Sequence, residues 1–415
     1  MGKFDRFFED DKPEDRENKF DTARRKKSSR HISGLPSGSW IADGVFCMES
    51  LYSIGSHYGA GILGNPDEME IMRHFGASGV TVFLDLETTG LAGGTGTYAF
   101  LCGVGAVSGN FFKISQFFLE SPAYEAQWLD AVDSSIPKDA SLVTYNGRAF
   151  DMPLLYTRHI MARKKPHWEE TPHIDLLHFS RRLYKGYLES CSLGSIEKNI
   201  LRLARGGQDI PGAMIPAIYT RYLHSSDTSE LIGVFYHNEL DIASLASLYC
   251  HVARVLGGNT ADGRELLRAG DIWRRFGHGR RAAQLWNMAC KVPNPHVDAL
   301  VRRAIFAKRN GDFDAARADF LSALDKFRRG ERHSADGVSE LTILEELAKL
   351  EEHRFKSWTR AIEYVDEAIN WLRSNIYIQG RERAAGLKSM EHRRKRLLKK
   401  ILAARALGEL NDDVD

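Results

Sequence analysis

The stretch Val80-Thr81-Val82-Phe83-Leu84-Asp85-Leu86-Glu87-Thr88-Thr89-Gly90 decides the fold. Its first half is a β-branched and aromatic run, the composition of a buried strand. Asp85 and Glu87 interrupt it two positions apart, so both carboxylates leave the same face, while Leu84 and Leu86 turn to the opposite face and the core. Carboxylates held side by side repel unless a cation lies between them. An Asp-x-Glu at a strand end is therefore a half-site of hard oxygens suited to Mg2+ or Mn2+.

Outward from this strand the pattern is α/β. Tyr98 to Val107 reads as a second strand, Ser108-Gly109-Asn110 as a turn and Phe111 to Leu119 as a third strand, giving an antiparallel meander. A helix is expected over Ala126 to Val132, a fourth strand over Ser141 to Tyr145 and a short strand from His173 to Leu176. In Asn146-Gly147-Arg148-Ala149-Phe150-Asp151, the last residue is placed to cap a helix carrying Pro153 in its first turn. The spacing of Leu231, Val234, Phe235, Ile242, Leu245, Leu248 and Val252 predicts a long helix over Glu230 to Val255. Residues 36–78, punctuated by Gly and Pro, are expected to pack on this domain as a lead-in.

At 415 residues the chain is too long for one ordinary core. Residues 1–35 are expected to be a disordered charged tail, since few large apolar residues separate its charges. Past residue 260 the strand signals stop. Gly277, Ala282, Trp286, Ala289 and Cys290 recur 34 positions later as Gly311, Ala316, Phe320, Ala323 and Leu324. Trp358, Ala361, Val365, Ala368 and Ile369 continue the pattern after a charged, glycine-containing insertion, Arg328 to Gly337. Small residues at helix crossings on this period predict an α-helical repeat domain over 260–405, tetratricopeptide-like in spacing. The basic run Arg393 to Lys400 reads either as a phosphate-tracking helix or as an ordinary amphipathic helix end.

The five cysteines are scattered and form no Cys-x-x-Cys pair, which argues against a zinc ribbon or a redox motif. The N-terminus lacks the apolar segment of a secretory signal, and no apolar run is long enough to span a bilayer. A cytoplasmic protein without membrane contact is expected. With a formal net charge of +2, any nucleic-acid binding must come from local patches.

His237-Asn238-Glu239-Leu240-Asp241 completes the set of motifs, with His237 one helical turn before Asp241 and on the same face. Asp85, Glu87, Asp151 and Asp241 are expected to converge on two divalent cations, with His237 as general base for phosphodiester hydrolysis. The loop from Gly90 to Thr97 lacks the phosphate-cradle signature of an ATP site. Thr88, Gly90, Asn146 and Arg148 are candidate substrate contacts, although Asn146-Gly147 serves equally well as a simple turn. His173 and Asp175 are expected to organise a strand end, not to bind metal.

These motifs resemble the DEDD superfamily of 3′→5′ exonucleases within the ribonuclease H-like fold. The local sequence is closer still to the YprB-type ribonuclease H-like proteins. The resemblance rests on Phe83 to Tyr98, His173-Ile174-Asp175-Leu176-Leu177, Ser190-Cys191-Ser192-Leu193, Asp209-Ile210-Pro211-Gly212 and His237 to Asp241. It implies a ribonuclease H-like exonuclease domain over 36–256, with a mixed sheet flanked by helices. It also implies that Asp85 bridges two Mg2+ or Mn2+ ions, that Glu87 and Asp241 complete the first site, and that Asp151 holds the second. One departure is visible. The superfamily places its base as His five residues before the last Asp or Tyr four before it, whereas here Tyr236 is five before and His237 four. The expected activity is 3′→5′ hydrolysis of single-stranded DNA or RNA. Alternatives are a structure-selective endonuclease, or a nucleic-acid-binding scaffold that recruits a protein partner through its helical repeats.

Overall fold

A computed structural model describes residues 34–90, 96–206, 209–330, 338–375 and 378–406. The expected N-terminal tail, all but Gly34 and Leu35, lies outside the described residues, as do Leu91 to Thr95 of the glycine-rich loop and Glu331 to Gly337 of the insertion. The chain divides after Gly257 into two compact units.

Among its described residues the N-terminal unit has nine strands: β1 Ser39–Ala42, β2 Val45–Ser53, β3 His57–Tyr58, β4 Gly61–Ile62, β5 Thr81–Thr88, β6 Ala99–Ser108, β7 Phe111–Leu119, β8 Ser141–Thr144 and β9 His173–Asp175. Seven of them form one mixed sheet in the order β1-β2-β7-β6-β5-β8-β9, and β3 and β4 pair separately. β5, β6 and β7 make the expected antiparallel meander, and β8 and β9 add parallel to β5. The lead-in is more than a packing segment, because β1 and β2 extend the sheet by antiparallel pairing along the whole of β7. Its glycines and prolines punctuate turns around a nine-residue strand whose alternation is buried only at its start.

The helices of this unit are α1 Pro66–Glu70, α2 Glu125–Ser135, α3 Asp151–Met161, α4 Leu176–Tyr184, α5 Leu193–Ile196, α6 Ile215–Ser225 and α7 Leu231–Leu256. Strand alternation sorts them onto two faces. Leu84 and Leu86 join the core that includes Trp128 and Leu129 of α2 and Tyr219 of α6, whose ring stacks on Phe100 at 4.0 Å. Phe83 faces the other way and meets Tyr249 of α7 edge to face. α7 lies across β5, β6 and β7 and is buried on nearly all sides, because α1, α4 and α6 pack on it as well. Its close approach requires glycine on β6. A Cβ on Gly103, the residue paired with Asp85, would stand 2.4 Å from Asn238 Oδ1 and 2.7 Å from Ile242 Cγ1.

One local expectation changes. Asp151 is the first residue of α3 and not its cap; Phe150 holds that position and offers no side-chain bond. The Asp151 carboxylate is thus not spent on capping.

The second unit is all helix in its described residues: α8 Gly263–Arg275, α9 Gly279–Ala289, α10 Val297–Arg309, α11 Phe313–Arg328, α12 Glu340–Leu350, α13 Trp358–Ser374 and α14 Gly380–Ala406. α8 packs on α9, α10 on α11 and α12 on α13. Gly277 and Gly311 both turn the chain with positive φ, 87° and 84°, and their partners Ala282, Ala316, Trp286 and Phe320 are buried. The basic run on α14 is used internally. Arg393, Arg396 and Lys400 all reach the fully buried Glu352, and Arg394 pairs with Asp366. Those cations are engaged by carboxylates of the same unit, so the amphipathic helix end is the better description.

Candidate metal centre

β5 carries Asp85 and Glu87 to the α7 face of the sheet. Asp85 is held by a relay of buried amides: Gln116 Nε2 on β7 donates to Asn238 Oδ1 at 3.0 Å, and Asn238 Nδ2 donates to Asp85 Oδ2 at 3.0 Å. Gln116 Nε2 also donates to the Phe235 carbonyl at 2.8 Å, which locks the amide orientation. Two elements thus position one carboxylate oxygen before any ligand arrives.

Glu87 is 8% exposed, and its carboxylate has no hydrogen-bond or ion-pair partner among the described residues. Its ligand oxygen lies within 4.8 Å of donor atoms of His237 and Asp241, a trio able to hold a metal ion. His237 and Asp241, four residues apart on α7, present themselves on one face as expected, with His237 Nε2 3.5 Å from Asp241 Oδ2. Tyr236 lies outside this trio; a Cβ on Gly206 would be 3.4 Å from its hydroxyl.

The electrostatics show the crowding. Burial raises the Asp85 carboxyl well above its usual range, and the charges of Asp241, Glu87 and Asp151 raise it further. Burial does the same to Glu87, with Asp241 and Asp151 adding to it. Asp151, on α3, is pushed up to about 7 by burial, against its own backbone N–H and helped by Asp175 and Asp241. Asp241 is also raised by burial, although Arg205 and His237 oppose the shift. The charges of Asp241 and Asp151 thus act on both Asp85 and Glu87.

Sequence reasoning missed Arg205. After a π-helical turn over Glu197–Leu201 and a left-handed Arg202, the chain delivers its guanidinium between three acids. Arg205 donates to Glu197 through Nε at 2.7 Å and Nη2 at 2.6 Å, pairs with Asp241 Oδ1, and reaches Asp209 Oδ2 at 3.4 Å. Glu197 is buried and takes a further bond from Ser244 at 2.6 Å. No motif marks an arginine in an irregular loop, so only the folded chain reveals it. Asp209 accepts from His237 Nδ1 at 2.8 Å. It belonged to a stretch that carried the family resemblance, but nothing in that stretch stated a role.

The candidate substrate contacts are more scattered. Thr88 Oγ1 donates to the Gly90 carbonyl at 2.9 Å. Asn146 adopts a left-handed φ of 64° and makes the turn between β8 and α3, while the Arg148 guanidinium donates to the His173 carbonyl. Asp175 fastens that turn by accepting from the backbone N–H groups of Asn146 at 2.8 Å, Arg148 at 3.2 Å and Leu177 at 3.0 Å, so it also caps α4. His173 donates to or accepts from Thr144 Oγ1 at 2.9 Å and is pushed down to about 4, mainly by burial and then by Arg148. His173 thus fastens the end of β8, and Asp175 the turn that leads from it to Asp151 on α3.

No helix among the described residues is long and apolar enough to cross a membrane. Residues 82–253 match the model of the ribonuclease H superfamily family RNase_H_2. The chain is 33% identical over 298 residues to the uncharacterized protein YprB of Bacillus subtilis strain 168, covering 69% of this chain and 68% of that protein. Among solved structures it is similar to the Escherichia coli exonuclease I complex with a dA16 oligonucleotide, at 13% identity over 77% of this chain and 99% of that one. The TM-score of 0.26 is too low for that superposition to bear on fold or activity. With the meander-first mixed sheet and a YprB relative matched across two thirds of its length, the chain belongs to the ribonuclease H superfamily, in the YprB group.

Proposed function

We propose that the N-terminal unit is a divalent-metal-dependent nuclease that hydrolyses phosphodiester bonds, acting as a 3′→5′ exonuclease on single-stranded DNA or RNA. The observation that carries this reading is geometric: Glu87, His237 and Asp241 bring donor atoms within 4.8 Å of one another, beside Asp85 and Asp151, and burial raises all four acids, contributed by β5, α3 and α7. One guanidinium, already shared among Glu197, Asp209 and Asp241, does not offset that many buried carboxylates. Hard oxygen donors at this density fit Mg2+ or Mn2+. Asp85, Glu87 and Asp241 would hold one ion and Asp85 with Asp151 a second. Bound there, such ions supply an activated water and stabilise the leaving oxygen.

The chain's own residues do the positioning. The Gln116–Asn238 relay aims Asp85, and Asp175 fixes the turn that presents Asp151. Thr88, Gly90, Asn146 and Arg148 are assigned to the nucleic-acid strand at the rim. The two units correspond in this reading to an exonuclease domain over 36–256 and a tetratricopeptide-like domain over 260–405. Stacked helix pairs of that kind offer an extended surface for a protein partner.

The test uses purified protein and end-labelled single-stranded DNA and RNA with Mg2+ or Mn2+. A ladder shortening from the 3′ end is expected, and Asp85→Ala should abolish it with unchanged circular dichroism. Internal products would indicate an endonuclease instead. Metal-independent binding without product would indicate a scaffold, and equal activity in the variant would reject the assignment.

A further inference from the structure

We infer that His237 is a nitrogen ligand to the metal held by Glu87 and Asp241, with Asp209 as its positioning residue, and that this site therefore selects Mn2+ over Mg2+. The inference rests on the metal-dependent reading above and departs from it in one respect: the imidazole, expected from sequence to take a proton from water, binds the ion instead.

The argument begins with the proton on the ring. Asp209 Oδ1 lies 2.8 Å from His237 Nδ1, and a carboxylate can only accept, so Nδ1 carries a hydrogen, and the neutral ring that binds metal presents its lone pair at Nε2. Arg205 Nη1 stands 3.3 Å from the same Nδ1, but two donors cannot share one bond, and the shorter contact decides. A carboxylate behind a ring nitrogen is the usual support for a metal-bound imidazole, fixing both tautomer and ring orientation.

The bare Nε2 then faces Asp241 Oδ2 at 3.5 Å. In the neutral ring that lone pair and the carboxylate oxygen repel until a proton or a metal ion sits between them. Asp241 is oriented in the same sense as the ring: Arg205 engages Oδ1 and leaves Oδ2 turned toward His237. Outer partners thus point one free donor of each residue inward. The third donor is the Glu87 carboxylate, more than nine-tenths buried and without a hydrogen-bond or ion-pair partner among the described residues. All three donors lie within 4.8 Å of one another. Metal–ligand bonds of about 2.1 Å give adjacent donor separations of roughly 3.0–3.5 Å, which the Nε2–Oδ2 distance meets.

Replacing one oxygen by imidazole changes which ion the site prefers. Imidazole suits transition metals, while Mg2+ keeps to oxygen and surrenders water reluctantly. Mn2+ accepts both donor types. The departure of His237 from the superfamily spacing is consistent with a different task for the ring.

The experiment is Mn2+ binding to the full chain, followed by electron spin-echo modulation and by competition with Mg2+. Wild type should show nitrogen modulation from a directly bound imidazole and bind Mn2+ at least about tenfold more tightly than Mg2+. His237→Gln should lose the modulation and about tenfold or more in Mn2+ affinity while changing Mg2+ affinity far less. Asp209→Asn should keep the modulation and lose about tenfold in Mn2+ affinity. Bound Mn2+ without nitrogen modulation in wild type overturns the inference, and that readout needs no variant to fold. Undiminished Mn2+ binding by His237→Gln overturns it too. Nitrogen-ligated Mn2+ in a protein that cleaves nothing would uphold the ligand set and sink the nuclease reading. Cleavage without nitrogen modulation would do the reverse.

Discussion

Asp151→Asn should make the metal-free protein more stable. The side chain is half-buried at the start of α3, and its carboxyl is pushed up to about 7 from an ordinary 3.8, with burial the largest cause. An acid raised in the folded state binds more protons folded than unfolded, so its ionisation destabilises the fold as pH rises from about 4 through about 7. Above that window the rise from 3.8 to about 7 corresponds to a ceiling of about 4 kcal/mol. Solvent screening at a partly exposed site cuts this to about 2 kcal/mol. Asparagine keeps the shape and removes the charge. In EDTA at pH 8 the variant should therefore gain about 2 kcal/mol in urea unfolding, and at pH 5 less than half of that. Adding Mn2+ should stabilise wild type more than the variant, because an ion that binds only the folded state shifts the equilibrium by its affinity. A variant less stable than wild type at pH 8 in EDTA, or a gap equal at the two pH values, would refute the crowding argument.

Gly103→Ala should push Asn238 away from Asp85, lowering nuclease turnover along with stability by about 1–3 kcal/mol, since the added Cβ meets Asn238 Oδ1 and Ile242; activity equal to wild type would contradict the amide relay. Arg205→Ala leaves the buried Glu197 and the half-buried Asp241 without their counter-charge and should cost about 3–5 kcal/mol in EDTA, with divalent ions restoring only the Asp241 share. A neutral effect on urea unfolding would remove Arg205 as the counter-charge. Burial pushes the Glu352 carboxyl up, but hydrogen bonds from Arg396 and Lys400 pull it from 4.5 down to about 2. Its contribution is thus present above pH 4.5 and lost as pH falls toward 2. Glu352→Gln should destabilise the helical unit at pH 7 by about 3 kcal/mol and lose that difference in strong acid, as read by helix melting.

Much of the fold was legible because its strands are short runs of one composition. β7 came out at Phe111–Leu119 and α7 within one residue at each end of the expected Glu230 to Val255. The lead-in was harder. β2 pairs with β7 along its length, yet the half-buried positions of its outer half are Met48, Ser50 and Tyr52 while Leu51 is exposed, so apolar and polar residues do not alternate in step with burial. The 34-residue recurrence located matching glycine turns and buried small residues in the helical unit, because a repeated crossing demands the same small side chain each time. The basic run on α14 misled in one of its two readings, since charge along a chain does not reveal that a carboxylate lies buried beneath it.

By itself the sequence determined that acidic residues on a strand, a helix start and a long helix belong to one α/β unit, because strand and helix periods assign each side chain a face. Only the tertiary structure decided how their charge is managed. Arg205 and Asp209 come from an irregular loop with no period to read, and their distance from Asp241 and His237 depends on how that loop folds back over α7. Tautomer, orientation and neutralisation are set by contacts across some thirty residues of chain, and that information exists only once the backbone has closed.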